Sequence, residues 1–190
     1  MKPHIRSLCD DYLVMDSKIP FEQVVQRHGP TVWRVCRGLL RSRHDAEDAW
    51  AETFAAGLKA WPDLPGTTTV EAWLVAVARH KAIDVARGNA RRATPSEPGE
   101  GKFGVPNRSA TSESAEETVL RDVNAELLWA AVHQLPERQR LAVIHHHLGG
   151  LPYREVAALV GGTEAAVRRA AADGLRSLRG QRNELMEREQ

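Results

Sequence analysis

Between Ala93 and Glu117 the apolar periodicity that runs through the rest of the chain stops. The segment TPSEPGEGKFGVPNRSATSESAEE is rich in proline, glycine, serine and glutamate and too poor in apolar residues to build a core of its own. A stretch of this kind reads as a flexible linker. It divides the 190-residue chain into two small folding units, residues 21–92 and 118–182, with an extension at 1–20 and a tail at 183–190. As a random coil, a linker of about 25 residues reaches about 25 to 30 Å, and pulled straight at most about 80 Å.

Both units read as helical, and no segment shows strand alternation, so the expected fold is all-α. In the first unit Phe21, Val24, Val25, His28, Val32, Val35, Cys36 and Leu39 recur at spacings of three and four. Gly29-Pro30 falls inside that pattern and predicts either a kink or two helices in series, because proline removes a backbone bond and clashes with the preceding turn. A second helix opens on Asp45-Ala-Glu-Asp48, where Asp45 can cap and the acids suit the positive end of the helix dipole. Trp50, Phe54, Leu58 and Trp61 form its apolar stripe, and Pro62 ends it. Pro62 to Thr69 is a loop by composition. A third helix is expected from Val70 to Arg87, with Trp73, Leu74, Val77, Ala78, Ala82 and Val85 inward and Arg79, His80, Lys81 and Arg87 more exposed. Asp84 can pair with Arg87 or Arg91, or cover a neighbouring helix end.

In the second unit helicity resumes near Thr118, anchored by Val119, Val123, Leu127, Leu128 and Val132. Leu135-Pro136 separates it from a helix over Glu137 to Leu148, in which Leu141, Ile144 and Leu148 face inward. Leu151 to Leu178 then reads as a helix-turn-helix. Pro152 suits the first position of one helix, and Val156, Ala157, Leu159 and Val160 form its apolar face. Gly161-Gly162 makes the turn, and Thr163 can cap the next helix, which buries Val167, Ala171 and Leu178. The opposite face shows Glu164, Arg168, Arg169 and Ala172. Small residues allow close approach to DNA, and arginines reach phosphates or guanine acceptors in the major groove. An ordinary helical hairpin with solvated arginines has the same local pattern.

The net charge of +1 conceals segregation. Asp45, Glu47, Asp48 and Glu52 form an acidic block; Arg79, Lys81, Arg87, Arg91 and Arg92 a basic one; Arg168, Arg169, Arg176, Arg179 and Arg182 another. Such separation suits a protein that touches DNA at two places and something else at a third, although each block alone could be a solvated helix face. A composition of 42% hydrophobic and 27% charged residues, with no apolar run of membrane-spanning length and no export signal at the start, points to a cytoplasmic protein without membrane insertion. Of the two cysteines, Cys36 falls on an apolar helix face and Cys9 in the extension, with a redox role open for Cys9 alone. Consecutive histidines 145 to 147 diverge around a helix and do not make a metal site. No residue constellation supports catalysis, a metal or a cofactor.

The layout and its residues together resemble the extracytoplasmic-function (group 4) sigma factors of bacterial RNA polymerase, of the sigma-70 family. FEQVVQRHGPTVWRVCRGLLRSRHDAEDAWAETF, the Trp61 ending and EAWLVAVARHKAIDVAR are similar to the family's region 2. LPERQRLAVIHHHLGGLPYREVAALVGGTEAAVRRAAADGLRSLR is similar to its region 4. The resemblance implies a promoter-specificity subunit that is not an enzyme, or, as the alternative, a stand-alone sigma-like regulator that does not initiate transcription. It implies that Asp45, Glu47, Asp48, Glu52 and Phe54 dock on the clamp helices of the polymerase β′ subunit, with the β flap as a further polymerase contact. Gly66, Thr67, Thr68, Thr69, Arg79, His80, Lys81, Arg87 and Arg91 would hold the unpaired minus-ten strand. Thr163, Glu164, Ala165, Arg168 and Arg169 would read the minus-thirty-five element. An anti-sigma factor is a further implied partner, and the linker would thread through the polymerase.

The chain departs from the family pattern at three places. His80 stands where the third helix usually has asparagine after its arginine, which changes base capture or makes it pH-sensitive. Pro152 replaces the usual serine or threonine. Ala170, Ala171, Ala172, Asp173 and Gly174 replace further basic residues, with Gly174 costing about 1 kcal/mol of helix stability relative to alanine. Minus-thirty-five binding is therefore expected to be weak or to rely on another partner.

Overall fold

Helix α1, Phe21–Leu39, is the element that contacts both halves of the chain. The structure, a computed structural model, describes residues 19–92 and 115–188, and every regular element among them is helical. After α1 come α2 (Arg43–Ala60), α3 (Val70–Arg92), α4 (Ala115–Gln134) and α5 (Glu137–Ala142). A π-helical segment, Val143–Leu148, continues α5 and is followed by α6 (Tyr153–Val160) and α7 (Glu164–Arg188). Helices α1, α2 and α3 form the first unit; α4 to α7 form the second, in which α7 lies against α5 and α6. The expected linker at 93–117 and extension at 1–20, with Cys9, lie outside the described residues except for 19–20 and 115–117.

α1 is not divided at Gly29-Pro30. It runs through as one helix, and tertiary contacts override the local break: a Cβ on Gly29 would stand 3.6 Å from Trp50 Cζ2, and the Trp50 indole nitrogen donates to the Gly29 carbonyl at 3.1 Å. The carbonyl that Pro30 leaves without an intrahelical donor is that of Gln26, which is on the exposed side with Pro30 and open to water, and the Trp50 bond ties α2 to the same turn of α1. Val24, Val32, Val35 and Cys36 on α1 pack with Ala46, Ala49 and Phe54 of α2 and Leu74, Val75, Ala78 and Ala82 of α3.

The cap of α2 is Ser42 rather than Asp45: its Oγ accepts the Asp45 amide at 3.2 Å, which leaves Asp45 in the first turn beside the positive end of the dipole. Leu58 leaves the expected stripe and is 56% exposed, because α2 turns small residues, Ala46, Ala49, Thr53 and Gly57, toward its neighbours. A side chain on Gly57 would begin 3.1 Å from the Phe21 ring. Leu127 and Leu128 on α4 are likewise exposed, at 49% and 54%; the inner side of α4 is set instead by Trp129, Val132 and His133. Val119 and Val123 lie where side chains are not described.

The helix expected over Glu137 to Leu148 changes winding at Val143. The Gly149 amide donates to the Ile144 carbonyl at 2.8 Å, a span of five residues, and the wider turn puts Ala142, Val143, Ile144 and His145 all inside. α7 continues as helix through Arg188, past the expected end of the second unit.

Gly174 has a packing reason. A Cβ there would stand 2.8 Å from Val143 Cγ2 and 3.3 Å from Gln139 Cβ, so its missing side chain lets α7 close on α5. Gly174→Ala should lower stability by about 1 to 3 kcal/mol in chemical denaturation, although alanine favours the helix; an unchanged midpoint would mean the contact relaxes freely. Cys36 is fully buried, and burial pushes its thiol up to about 12. It should stay protonated and resist alkylation at pH 8 in the native protein, then react at once in denaturant.

Candidate nucleic-acid interface and acidic docking face

The acidic block of α2 divides by helical geometry. Residues 45, 48 and 52 lie within one face, whereas 47 points away. Asp48 and Glu52 are the exposed members, at 57% and 62% of their side chains. Glu47 is 19% exposed and accepts from Arg43 Nε at 3.2 Å. Phe54, expected in the docking set, is core: it is 6% exposed, with its ring 4.8 Å from Trp50 and 6.3 Å from Phe21. Its apolar surface is spent on closing α2 against α1.

The loop between α2 and α3 presents Gly66, Thr67 and Thr69 to solvent, with Thr68 half-buried and its amide on the Pro65 carbonyl at 2.9 Å. On α3, His80, Arg87 and Arg91 are exposed and share a face with Asp84. Arg79 and Lys81 diverge from it. Lys81 Nζ donates to Glu52 Oε2 of α2 at 3.3 Å, and Arg79 is turned toward the π-helical segment, where its charge acts on His145. A shallow groove of about 300 Å³ joins the two faces, lined by Asp48, Glu52, Lys81, Asp84, Val85, Gly88, Asn89 and Arg91. The acidic and basic blocks, separate in sequence, are therefore one continuous surface.

In the helix-turn-helix, Gly161 and Gly162 take φ of 84° and 104°, a region that favours glycine. Thr163 Oγ1 accepts the Ala166 amide at 3.2 Å, capping α7. Pro152 is the residue before the first helical turn rather than in it, with φ −58° and ψ 146°. Val167 and Ala171 are buried, and Glu164, Ala165, Arg168, Arg169 and Ala172 lie on the opposite, exposed side. Arg168 is held by two neighbours. Its Nη2 donates to Glu164 Oε1 at 2.6 Å, and its guanidinium lies 5.3 Å from the centre of the Tyr153 ring. Tyr153 in turn stacks on His146 at 3.7 Å, and His146 Nδ1 bonds the Leu151 carbonyl at 2.7 Å.

Sequence reasoning missed the residues that join the two units. Arg37 is 2% exposed, and its Nη2 donates to both carboxylate oxygens of Glu126 at 2.8 and 2.7 Å. The signal available was an Arg-Gly pair in the last turn of an amphipathic helix, directly after the apolar Val35 and Cys36.

The chain matches the family profile described as "Sigma-70 region 2" over residues 24–92 and that described as "Sigma-70, region 4" over residues 125–178. It is 31% identical over 160 residues to the ECF RNA polymerase sigma factor ShbA of Streptomyces griseus, covering 79% of this chain and 81% of that protein. Identity to the ECF RNA polymerase sigma factor SigE of Mycolicibacterium smegmatis is 28% over 162 residues, which is 84% of this chain and 60% of SigE. Two solved structures share the fold. One is the sigma factor RpoE with the anti-sigma factor NepR from Bartonella quintana, at TM-score 0.61 and 16% identity, covering 84% of this chain and 94% of the other. The second is CnrH with the cytosolic domain of CnrY, at TM-score 0.56 and 20% identity, covering 86% and 87%.

Proposed function

This chain belongs to the extracytoplasmic-function sigma factors of the sigma-70 family, and from that premise we propose that it binds core RNA polymerase in the cytoplasm and directs promoter recognition, opening and initiation. The observation that carries this reading is the occurrence of region 2 and region 4, in that order, on one chain. The surfaces support it. Asp48 and Glu52, exposed on α2 with Asp45 at the edge of their face, form the docking surface for the β′ clamp helices. The loop 66–69 with His80, Arg87 and Arg91 forms the surface for the unpaired minus-ten strand, and the capped start of α7 the one for the minus-thirty-five duplex. The chain performs no chemistry of its own; it positions DNA and polymerase, and charge complementarity does most of that.

Lys81 takes part in both surfaces. Its ion pair with Glu52 is exposed and worth at most about 1 kcal/mol, so exchanging it for a phosphate or a polymerase cation is inexpensive. In the second unit Arg168 must release Glu164 to reach DNA, or be aimed by it. An anti-sigma partner, like NepR in the complex of RpoE, is part of the proposal.

Run-off transcription with purified core polymerase on genomic fragments tests this reading. Specific transcripts are expected; a chain that binds DNA but neither binds core nor yields a transcript would instead be a stand-alone regulator. Asp48→Lys with Glu52→Lys should weaken core binding at least tenfold with an unchanged circular dichroism spectrum, and undiminished affinity would remove docking from this face. Arg168→Ala with Arg169→Ala should lower the salt slope of duplex binding by at most about two, from roughly 0.9 per phosphate contact. An unchanged slope would exclude phosphate contacts by these side chains.

A further inference from the structure

We propose that the two halves of this chain latch onto each other: α4 and the π-helical segment close over the C-terminal turn of α1, and the closed form opens on acidification. The latch goes beyond the proposed function and does not depend on it.

Its surface is built for a specific partner, the other half of the same chain. Besides the Glu126 pair, Arg37 Nη1 donates to the Arg41 carbonyl at 3.3 Å, and its guanidinium lies 5.6 Å from the Trp129 ring centre. Arg41 Nη2 donates to the His133 carbonyl at 3.2 Å, and His133 Nε2 donates to the Arg37 carbonyl at 2.9 Å. Steric fit accompanies these bonds. A Cβ on Gly38 would stand 2.7 Å from Ile144 Cγ1, and one on Gly149 would stand 3.3 Å from both Val35 and Val75. Glycines thus stand on both sides where the halves approach most closely.

The acid sensitivity lies in two histidines of this interface. His145 is fully buried, and neither of its ring nitrogens has a hydrogen-bond partner. His133 is 6% exposed, with Nδ1 unpartnered. The charged groups that act on them are all cations: Arg79 of α3 on His145, and Arg37 and Arg41 of α1 with Arg140 of α5 on His133. Two carboxylates lie at the same surface: Glu126 is committed to Arg37, and Glu71 lies beside Gly150 and near His28. Tyr153 of α6 is stacked on His146. Burial, reinforced by Arg79, pushes His145 down to about 4, and burial lowers His133. A histidine lowered in the closed form resists protonation there and accepts a proton once released. The latch is therefore at full strength above about pH 6.5 and weakens as pH falls toward 4, by up to about tenfold per pH unit for His145.

Under the proposed function the latch has a consequence. A compact body of about 150 residues has a radius of gyration of about 15 Å and is about 40 Å across. Elements about 25 base pairs apart at 3.4 Å each are separated by about 85 Å. The closed form cannot engage both, so opening precedes promoter binding.

The test is single-molecule energy transfer between dyes at Ala55→Cys on α2 and Ser177→Cys on α7, both exposed positions, with Cys9 replaced by serine and Cys36 shielded by burial. A short-distance population is expected at pH 7.5, with the closed-to-open ratio falling about tenfold or more by pH 5.5. Gly38→Val and Glu126→Lys should shift the molecule to the long-distance population at pH 7.5 with helical content kept. Glu126 is more than half exposed, so its variant stays informative if Gly38→Val misfolds. His145→Gln should remain closed and lose most of the acid response. A long distance in the unaltered protein at pH 7.5, a short one in folded Glu126→Lys, or an undiminished acid response in His145→Gln would each overturn the proposal. No polymerase or promoter enters the measurement, so failure of the transcription assay and failure of the latch are separate results.

Discussion

A guanidinium buried to 2% exposure is the constraint on which the arrangement of this molecule depends. Taking a charge out of water costs several kcal/mol, and that cost is offset only by good geometry and full hydrogen bonding. Arg37 obtains them from the Arg41 carbonyl, which accepts from Nη1, and above all from Glu126, which accepts twice from Nη2, belongs to the other half of the chain and comes 89 residues later. The cation's burial and the docking of the two halves are thus one event. The last turn of α1 shows it: Val35, Cys36, Arg37 and Gly38 are buried in succession. Four consecutive helical positions cover most of the circumference, so this turn is enclosed on all sides.

The helices themselves were legible because their signals are local. Period-3.6 apolar residues, a threonine after two glycines and an acidic first turn act within a few residues, and α1, α2, α3, α6 and α7 follow from them. What was not legible depends on partners distant in sequence. Pro30 stays inside α1, where Trp50, twenty residues on, packs against Gly29 and donates to its carbonyl. Ser42 rather than Asp45 caps α2, a one-turn shift that composition alone cannot resolve. Gly174 reads locally as a weak point of a helix and is spatially the place where Val143 comes closest. Leu58, Leu127 and Leu128 match the apolar period yet face solvent, since periodicity gives the spacing of a stripe but not which of its members finds a neighbour.

The candidate interface was legible as a set of charges and not as a surface. Sequence grouping placed Arg79, His80, Lys81, Arg87 and Arg91 together, whereas a helix distributes them over three directions. One goes to the second unit, one to Glu52 of α2, and three to solvent. Phe54 was grouped with the acids beside it, and its ring went to the core. The same redistribution bears on the thin charge of α7. Two of its arginines, Arg168 and Arg176, are paired within the helix to Glu164 and Asp173, so its available positive charge is smaller than a count suggests. Exposed pairs are weak, and DNA phosphates can compete for them.

The wider winding over Val143–Leu148 connects these surfaces. An α-helix there would place successive side chains at 100° and bury about half of them. The π-turn instead sends Val143 against Gly174 of α7, Ile144 against Gly38 of α1, and His145 toward Arg79 of α3. The next residue, His146, stacks on Tyr153, whose ring lies under Arg168 of α7. One short segment therefore contacts α1 on one side and, through Tyr153, supports Arg168 at the start of α7 on the other. A change in how it packs against α1 has a direct mechanical route, through two stacked rings, to the exposed Arg168 side chain.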